Sequence, residues 1–188
     1  MKSIKSMPAH ARKVFTGEIF EVWQWDQELY DGTTAIFERL RRPDTVVVLP
    51  IAEQSVVVVE EQQPDTDLFL SIPSGRLEEG EDPLEGAKRE LKEETGYESA
   101  DWQLLKTVRP VSKIEWNVYV YLARGCIKTS EQNLDAGEKI SVKQYSFDDF
   151  VELAQSDAFR ATEITDMVLR ARLAPEGIAA LRAQFFKE

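Results

Sequence analysis

The sequence predicts an α/β protein: a mixed sheet between helices, an α/β/α sandwich, preceded by a small N-terminal antiparallel β-sheet. Three observations lead there. Two valine-rich runs, TVVVLPI at 45–51 and SVVVVE at 55–60, have the near-continuous apolar character of strands buried on both faces. Strand and helix signals alternate after them. Before them, two alternating segments flank Asp31-Gly32, a hairpin signal.

In chain order, the hairpin strands are expected at 18–25 and 33–40, and the central strands at 45–51 and 55–60. A short strand at 68–72 leads into a glycine-bearing loop. The first helix is expected over Pro83–Thr95. Asp82 is a good N-cap, Pro83 suits the first helical position, Glu85 completes an Asp-x-x-Glu capping pattern, and Gly96 supplies a left-handed stop. Leu84, Ala87 and Leu91 recur at i, i+3 and i+7 and form its apolar stripe. Strands follow at 102–108, 114–123 and 140–145. Ser146 caps a helix over 147–154, a second spans Thr162–Leu173, and Pro175 at N1 opens a third that runs to Phe186. The chain divides into residues 1–43, the N-terminal strands, and 44–188, which carry the chemistry.

Composition frames what such a fold can do. With 188 residues, 43% of them hydrophobic, the chain can bury an ample core. A formal charge of -11 argues against a nucleic-acid surface, which needs clustered Lys and Arg. The single cysteine, Cys126, forms no internal disulfide and suits a reducing, cytoplasmic setting. The lone His10 argues against a histidine-based metal site or triad. The opening residues MKSIKSMPAHARK are basic but lack an apolar segment, so no secretion signal is expected. No run of eighteen apolar residues suggests a membrane span.

The segment 75–97, GRLEEGEDPLEGAKRELKEETGY, carries the chemistry. At about 100° per residue, Glu90, Glu93 and Glu94 share one face of the expected helix, apart from the apolar stripe. Like charges at i,i+3 and i,i+4 destabilise a helix by a few tenths of a kcal/mol each. A hard divalent cation, Mg2+ or Mn2+, turns that repulsion into binding, because it requires negatively charged oxygen ligands. Arg89, at i,i+4 from Glu93, can orient a carboxylate. Gly75 and Gly80 let the preceding loop bend over the metal, where the Ser74 carbonyl could ligate.

Gly75, Glu81, Arg89-Glu90-Leu91, Glu93-Glu94 and Gly96-Tyr97 fill every defined position of the pattern G-x5-E-x7-R-E-U-x-E-E-x-G-U, with U a bulky apolar residue. Chance agreement at one start point is on the order of 10^-9. The chain therefore resembles the Nudix hydrolases, enzymes that split a diphosphate linked to a nucleoside. The hairpin, the charged segment 37–42 and the strand leading to Pro50 resemble the ADP-ribose pyrophosphatase and nucleoside-diphosphate-sugar hydrolase branch. That resemblance implies a homodimer acting on a small nucleotide, with Phe37 stacking on a base, Glu38 accepting from an amino group and Arg42 reaching phosphate or ribose. It also implies a late-loop acid serving as metal ligand or general base. Glu138 in 133–140 is the first candidate and Asp135 the second.

The implied site thus comprises Arg89, Glu93 and Glu138 as catalytic residues; Ser74, Glu90, Glu93, Glu94 and Glu138 around metal; and Phe37, Glu38, Arg42 and Arg76 around substrate. Trp23 and Trp25 belong either to the pocket or to a dimer interface, and Arg109 could join Arg76 as a phosphate contact. The chain differs from the branch pattern at Gln62-Gln63, where an Arg is usual, and in 71–75, SIPSG, which lacks the usual Glu. Two alternatives share the motif: a nucleoside-triphosphate or dinucleoside-polyphosphate pyrophosphatase, and a non-catalytic domain that senses a nucleotide.

Overall fold

The computed structural model describes residues 6–64 and 66–186. The first five residues of the N-terminal unit, Asp65 and the last two residues lie outside them. The chain runs β1 (Arg12–Thr16), β2 (Glu21–Glu28), β3 (Thr34–Arg41), β4 (Thr45–Ala52), β5 (Ser55–Gln62), β6 (Phe69–Ser71), β7 (Ser74–Arg76), α1 (Pro83–Thr95), β8 (Tyr97–Glu98), β9 (Asp101–Val108), β10 (Ile114–Glu115), β11 (Val118–Arg124), β12 (Ile127–Lys128), β13 (Lys139–Ser146), α2 (Phe147–Leu153), α3 (Thr162–Leu173) and α4 (Gly177–Phe185).

The valine runs sit at the centre of the main sheet, in order β13-β5-β4-β11-β9, with β6 added to β5 and β7 to β4. β4 and β11 are parallel and the remaining pairs antiparallel, so the sheet is mixed. Strand alternation sends Val47, Leu49, Val56 and Val58 to one face, against Phe147, Phe150, Ile164, Val168 and Phe185 of α2, α3 and α4. It sends Val46, Val48 and Val57 to the other, against Ala87 and Leu91 of α1. Both faces are covered, which is why these strands read as unbroken apolar runs.

The N-terminal sheet has order β1-β2-β3-β10. Its hairpin closes as expected: Leu29 N–H donates to Thr33 O at 2.8 Å, and Gly32 at φ 81° makes the turn. β1 was not expected; its five residues are all exposed, so no burial pattern marks it. The single strand expected at 114–123 is broken at Trp116-Asn117. Asp44 captures Asn117 there, accepting from its backbone N–H at 2.7 Å and its side-chain amide at 2.9 Å. The break lets Ile114 and Glu115 pair with Leu40 and Arg41 of β3, stitching the two sheets together.

Three smaller corrections follow. Residues 74–76 form a strand on β4 rather than loop. Tyr97 and Glu98 pair with Lys128 and Ile127 in a two-stranded ladder. The last helix begins at Gly177, because Glu176 takes a left-handed φ of 56° that ends the preceding turn. Cys126 is buried; desolvation pushes its thiol up to about 11, so it is an inert packing group. No helix among the described residues is long and apolar enough to cross a membrane.

Candidate active site

α1 is built as its sequence demands. Asp82 accepts from Leu84 N–H at 2.9 Å and Glu85 N–H at 3.3 Å, and Gly96 at φ 75° donates to Lys92 O at 2.8 Å. The last carbonyls of a helix lack internal partners. Here the segment ahead of β13 supplies them: Asn133 N–H reaches Glu93 O at 2.8 Å and the Gln132 amide reaches Glu94 O at 2.5 Å. The loop carrying Glu138 is thereby anchored to the end of the acidic helix.

Arg89 organises the acids. Nε and Nη2 donate to the two oxygens of Glu81, both at 2.9 Å. Nη1 donates to Glu90 Oε1 at 2.8 Å and Glu93 Oε2 at 3.0 Å, and Nη2 also reaches Arg76 O at 3.1 Å. A guanidinium has five N–H donors, and all five are engaged. Glu81 is held below the usual carboxylate range by these bonds.

Glu90 and Glu94 lie under the loop. A Cβ on Gly75 would lie 2.1–2.3 Å from the Glu90 carboxyl, so any side chain there would displace that group. Glu94 is 5% exposed and both its oxygens lie 3.4 Å from Ser74 N, so the Ser74 N–H faces this carboxylate. Burial, then the neighbouring Glu90, push Glu94 well above the ordinary carboxylate pKa. Burial also raises Glu90, outweighing Arg89. Glu138 is half-buried and raised by burial, with Asp135, Glu61 and Glu93 adding repulsion.

Among the described residues, no three His, Cys, Asp or Glu side chains converge into a ready-made cation cage. Arg89 occupies one oxygen each of Glu90 and Glu93 instead. The donor chemistry still fits a hard divalent ion: oxygen only, partly desolvated, with burial raising both Glu90 and Glu94. Glu61 escaped the sequence reading. It sits at 9% exposure on β5, bonded to the Gln63 amide at 2.6 Å, and its charge acts on Glu94 and Glu138. Its signal was an acid at an inward position of an otherwise apolar strand.

Beside Gly75 opens a cleft of about 350 Å³, lined by Arg42, Ser74, Arg76, Trp116, Arg160 and Glu163 among others. Arg42 stacks on Trp116, with 4.6 Å from Cζ to the ring centroid, and its Nε is buried without a hydrogen-bond partner. Burial and nearby Arg76 lower its pKa.

Phe37 and Glu38 are elsewhere. They line a second, shallower groove of about 640 Å³ with Ile36, Val111, Lys113 and Ile114. Phe37 packs 6.1 Å from the buried Trp25, with Lys113 Nζ 5.3 Å over its ring, and Glu38 accepts from Gln24 at 2.8 Å. Trp23 lies under Arg41, 5.9 Å away. Arg109 faces Glu115 at 3.6 Å, away from the cleft lining.

The family described as NUDIX domain matches residues 41–167, which contain the whole of this acid-and-loop arrangement. The chain belongs to the Nudix family. Among similar proteins, the methanol dehydrogenase activator of Bacillus methanolicus is 32% identical over 74% of this chain and 78% of its own length. The ADP-ribose pyrophosphatase of Bacillus subtilis (strain 168) is 28% identical over 83% of this chain and 86% of its own. A crystal structure of an ADP compounds hydrolase superposes with a TM-score of 0.72, covering 90% of this chain and 95% of that one at 22% identity, which establishes a shared fold. The expected sandwich and small N-terminal sheet are present, on the fold of that hydrolase structure.

Proposed function

We propose that this protein hydrolyses the diphosphate of ADP-ribose or of nucleoside diphosphate sugars in the cytoplasm, with Mg2+ or Mn2+, giving a nucleoside monophosphate and a sugar phosphate. The observation that carries this is the adjacency of two opposed fields. The Glu90 carboxylate underlies Gly75, the Glu94 carboxylate faces Ser74 N–H, and the same segment borders a cleft containing Arg42 and Arg76. A diphosphate needs both: cations on its oxygens at the cut, and guanidinium donors along the rest.

When bound, the divalent ion supplies Lewis-acid polarisation of the phosphoryl group and a more acidic water. Glu90 and Glu94 would hold it, with Glu93, Glu138 and the Ser74 carbonyl as further oxygen donors. Arg89, whose donors are all committed, fixes Glu90 and Glu93 in orientation. Glu138 or Glu93 accepts the proton of the attacking water. Arg42 and Arg76 bind the diphosphate oxygens, and the buried Arg42 Nε offers a donor ready for an acceptor.

Base recognition is assigned to Phe37 and Glu38 in unit 1–43. Their groove shares no lining residue with the cleft, so one substrate reaches both through a homodimer in which one protomer's N-terminal sheet faces its partner's cleft. The exposed Val14 (47%), Phe15 (59%) and Ile36 (63%) on that sheet support a covered surface. The net charge of -11 supports small nucleotides over nucleic acid, and one cysteine supports a reducing compartment.

Product analysis with Mg2+ or Mn2+ against ADP-ribose, ADP-glucose, UDP- and GDP-sugars, NADH, diadenosine polyphosphates and dNTPs tests this. AMP from ADP-ribose or ADP-glucose is expected. Pyrophosphate from dNTPs, with sugar nucleotides untouched, would instead assign a triphosphate pyrophosphatase. Tight nucleotide binding without turnover would assign a sensor.

A further inference from the structure

The cleft beside Gly75 also draws lining from a segment that the sequence did not mark. Residues 160–163, at the start of α3, form part of its lining together with Ser71. This segment is held firmly. Leu70 N–H donates to Ala158 O at 2.8 Å and Arg160 N–H to Leu70 O at 2.9 Å, so 158–160 is laddered onto β6. The Arg160 guanidinium lies 4.1 Å over the Phe69 ring. Glu163 is half-buried, and its carbonyl accepts from Lys106 Nζ at 2.8 Å. Among the described residues, neither the Arg160 guanidinium nor the Glu163 carboxylate has an ion-pair partner within 4.0 Å.

The lining therefore offers two kinds of contact. Arg42 and Arg76 lie close enough for the charge of Arg76 to act on Arg42, two cations suited to phosphate oxygens. Arg160 and Glu163, both contributed by segment 160–163, sum to zero charge: a forked donor and an acceptor-only group. Such a pair satisfies hydroxyl groups, each both donor and acceptor. A further phosphate would set its charge against Glu163 and gain only Arg160 in return.

We propose that Arg160 and Glu163 are specificity-determining residues that bind the hydroxyl-bearing group on the diphosphate, selecting a sugar over an additional phosphate. This rests on the sugar-nucleotide function proposed above, and names the residues that would enforce it.

The test is kcat and KM for ADP-ribose and ADP-glucose against ATP, read as substrate or as competitive inhibitor. Wild type is compared with Glu163→Gln, Arg160→Ala and Arg160→Lys, with a thermal melt of each. Loss of a hydrogen bond to a charged group changes kcat/KM by about tenfold or more. Glu163→Gln is expected to lower kcat/KM for the ADP-sugars about tenfold, mainly through KM, while ATP binds as well or better. Arg160→Ala should lower ADP-sugar kcat/KM similarly, with Arg160→Lys, which keeps charge but loses the fork, recovering only part. A sugar-to-ATP preference unchanged in all three variants overturns the proposal while the function stands. A wild type that cleaves triphosphates alone, or cleaves nothing, overturns both.

Discussion

Gly75→Ala separates the fold from its chemistry, because the added methyl meets only the far end of a flexible side chain. The Cβ would lie 2.1 Å from the Glu90 carboxyl, against the 3.4 Å where ordinary contact begins, so Glu90 must retreat by 3.4 - 2.1 = 1.3 Å. No left-handed φ is involved at this glycine, so the backbone bears little strain. Glu90 can swing at little cost to folding, but it then leaves Arg89 Nη1, now 2.8 Å away, and its position beside the loop. A 1 Å misplacement at a reacting centre costs about 10^2 in rate. The expected result is kcat for ADP-ribose hydrolysis with Mg2+ down about 100-fold or more, and a melting temperature within about 3 °C of wild type, under ~1 kcal/mol for a chain of this size. Near-normal turnover in a stably folded variant would refute the placement of Glu90 under the loop.

Gly96→Ala should do the reverse. Its Cβ would lie 2.1 Å from the Ser130 carbonyl oxygen at a φ of 75°, and backbone cannot step aside, so a loss of about 2 kcal/mol or more in a urea melt is expected. Glu94→Gln is expected to lower turnover by about 10^2 to 10^4 with the fold retained, measured as AMP release. Glu81→Gln tests pH linkage. The folded pKa of Glu81 is depressed, so its stabilisation is present above the ordinary value of 4.5 and is lost as pH falls through the lower folded value. The variant should melt about 4–8 °C below wild type at neutral pH, with the gap closing in acid. Arg124→Ala should cost about 3 kcal/mol with activity retained at 25 °C. This arginine is 6% exposed and ties the Gln184 carbonyl of α4, at 2.7 Å, to Gln103 and Asp101 of β9.

Local chemistry is what the sequence displayed well. α1 was legible to the residue because its start and stop are decided by Asp82, Pro83 and Gly96, whatever packs around them. The valine strands were legible because burial on both faces leaves a continuous apolar run. What escaped depends on partners distant in sequence. The break before β11 exists because Asp44, 73 residues away, captures Asn117. β7 is a strand only because β4 is there to pair with it. In the site, the spacing of Arg89 and the helical acids showed which could meet, but the five-fold engagement of Arg89 needed Glu81 and the Arg76 carbonyl brought back by the loop. Glu61 and the Arg160–Glu163 pair come from elements outside the motif, so no local spacing announced them.

The anchoring of 133–138 also sets a leash on Glu138. Its Cα is one peptide, about 3.8 Å, from that of Lys139, which is already paired with Gln62. Asp135 is three residues further out, past Gly137 at φ 103°. Asp135 N–H donates to Glu138 Oε2 at 3.3 Å and Glu138 N–H donates to Asp135 O at 3.1 Å, so the two acids are tied to each other across the turn. To withdraw Glu138 itself, the chain must rotate its side chain or unzip the first rung of β13. The two acids of this turn are thus mechanically coupled: displacing Asp135 breaks a bond that orients the Glu138 carboxylate.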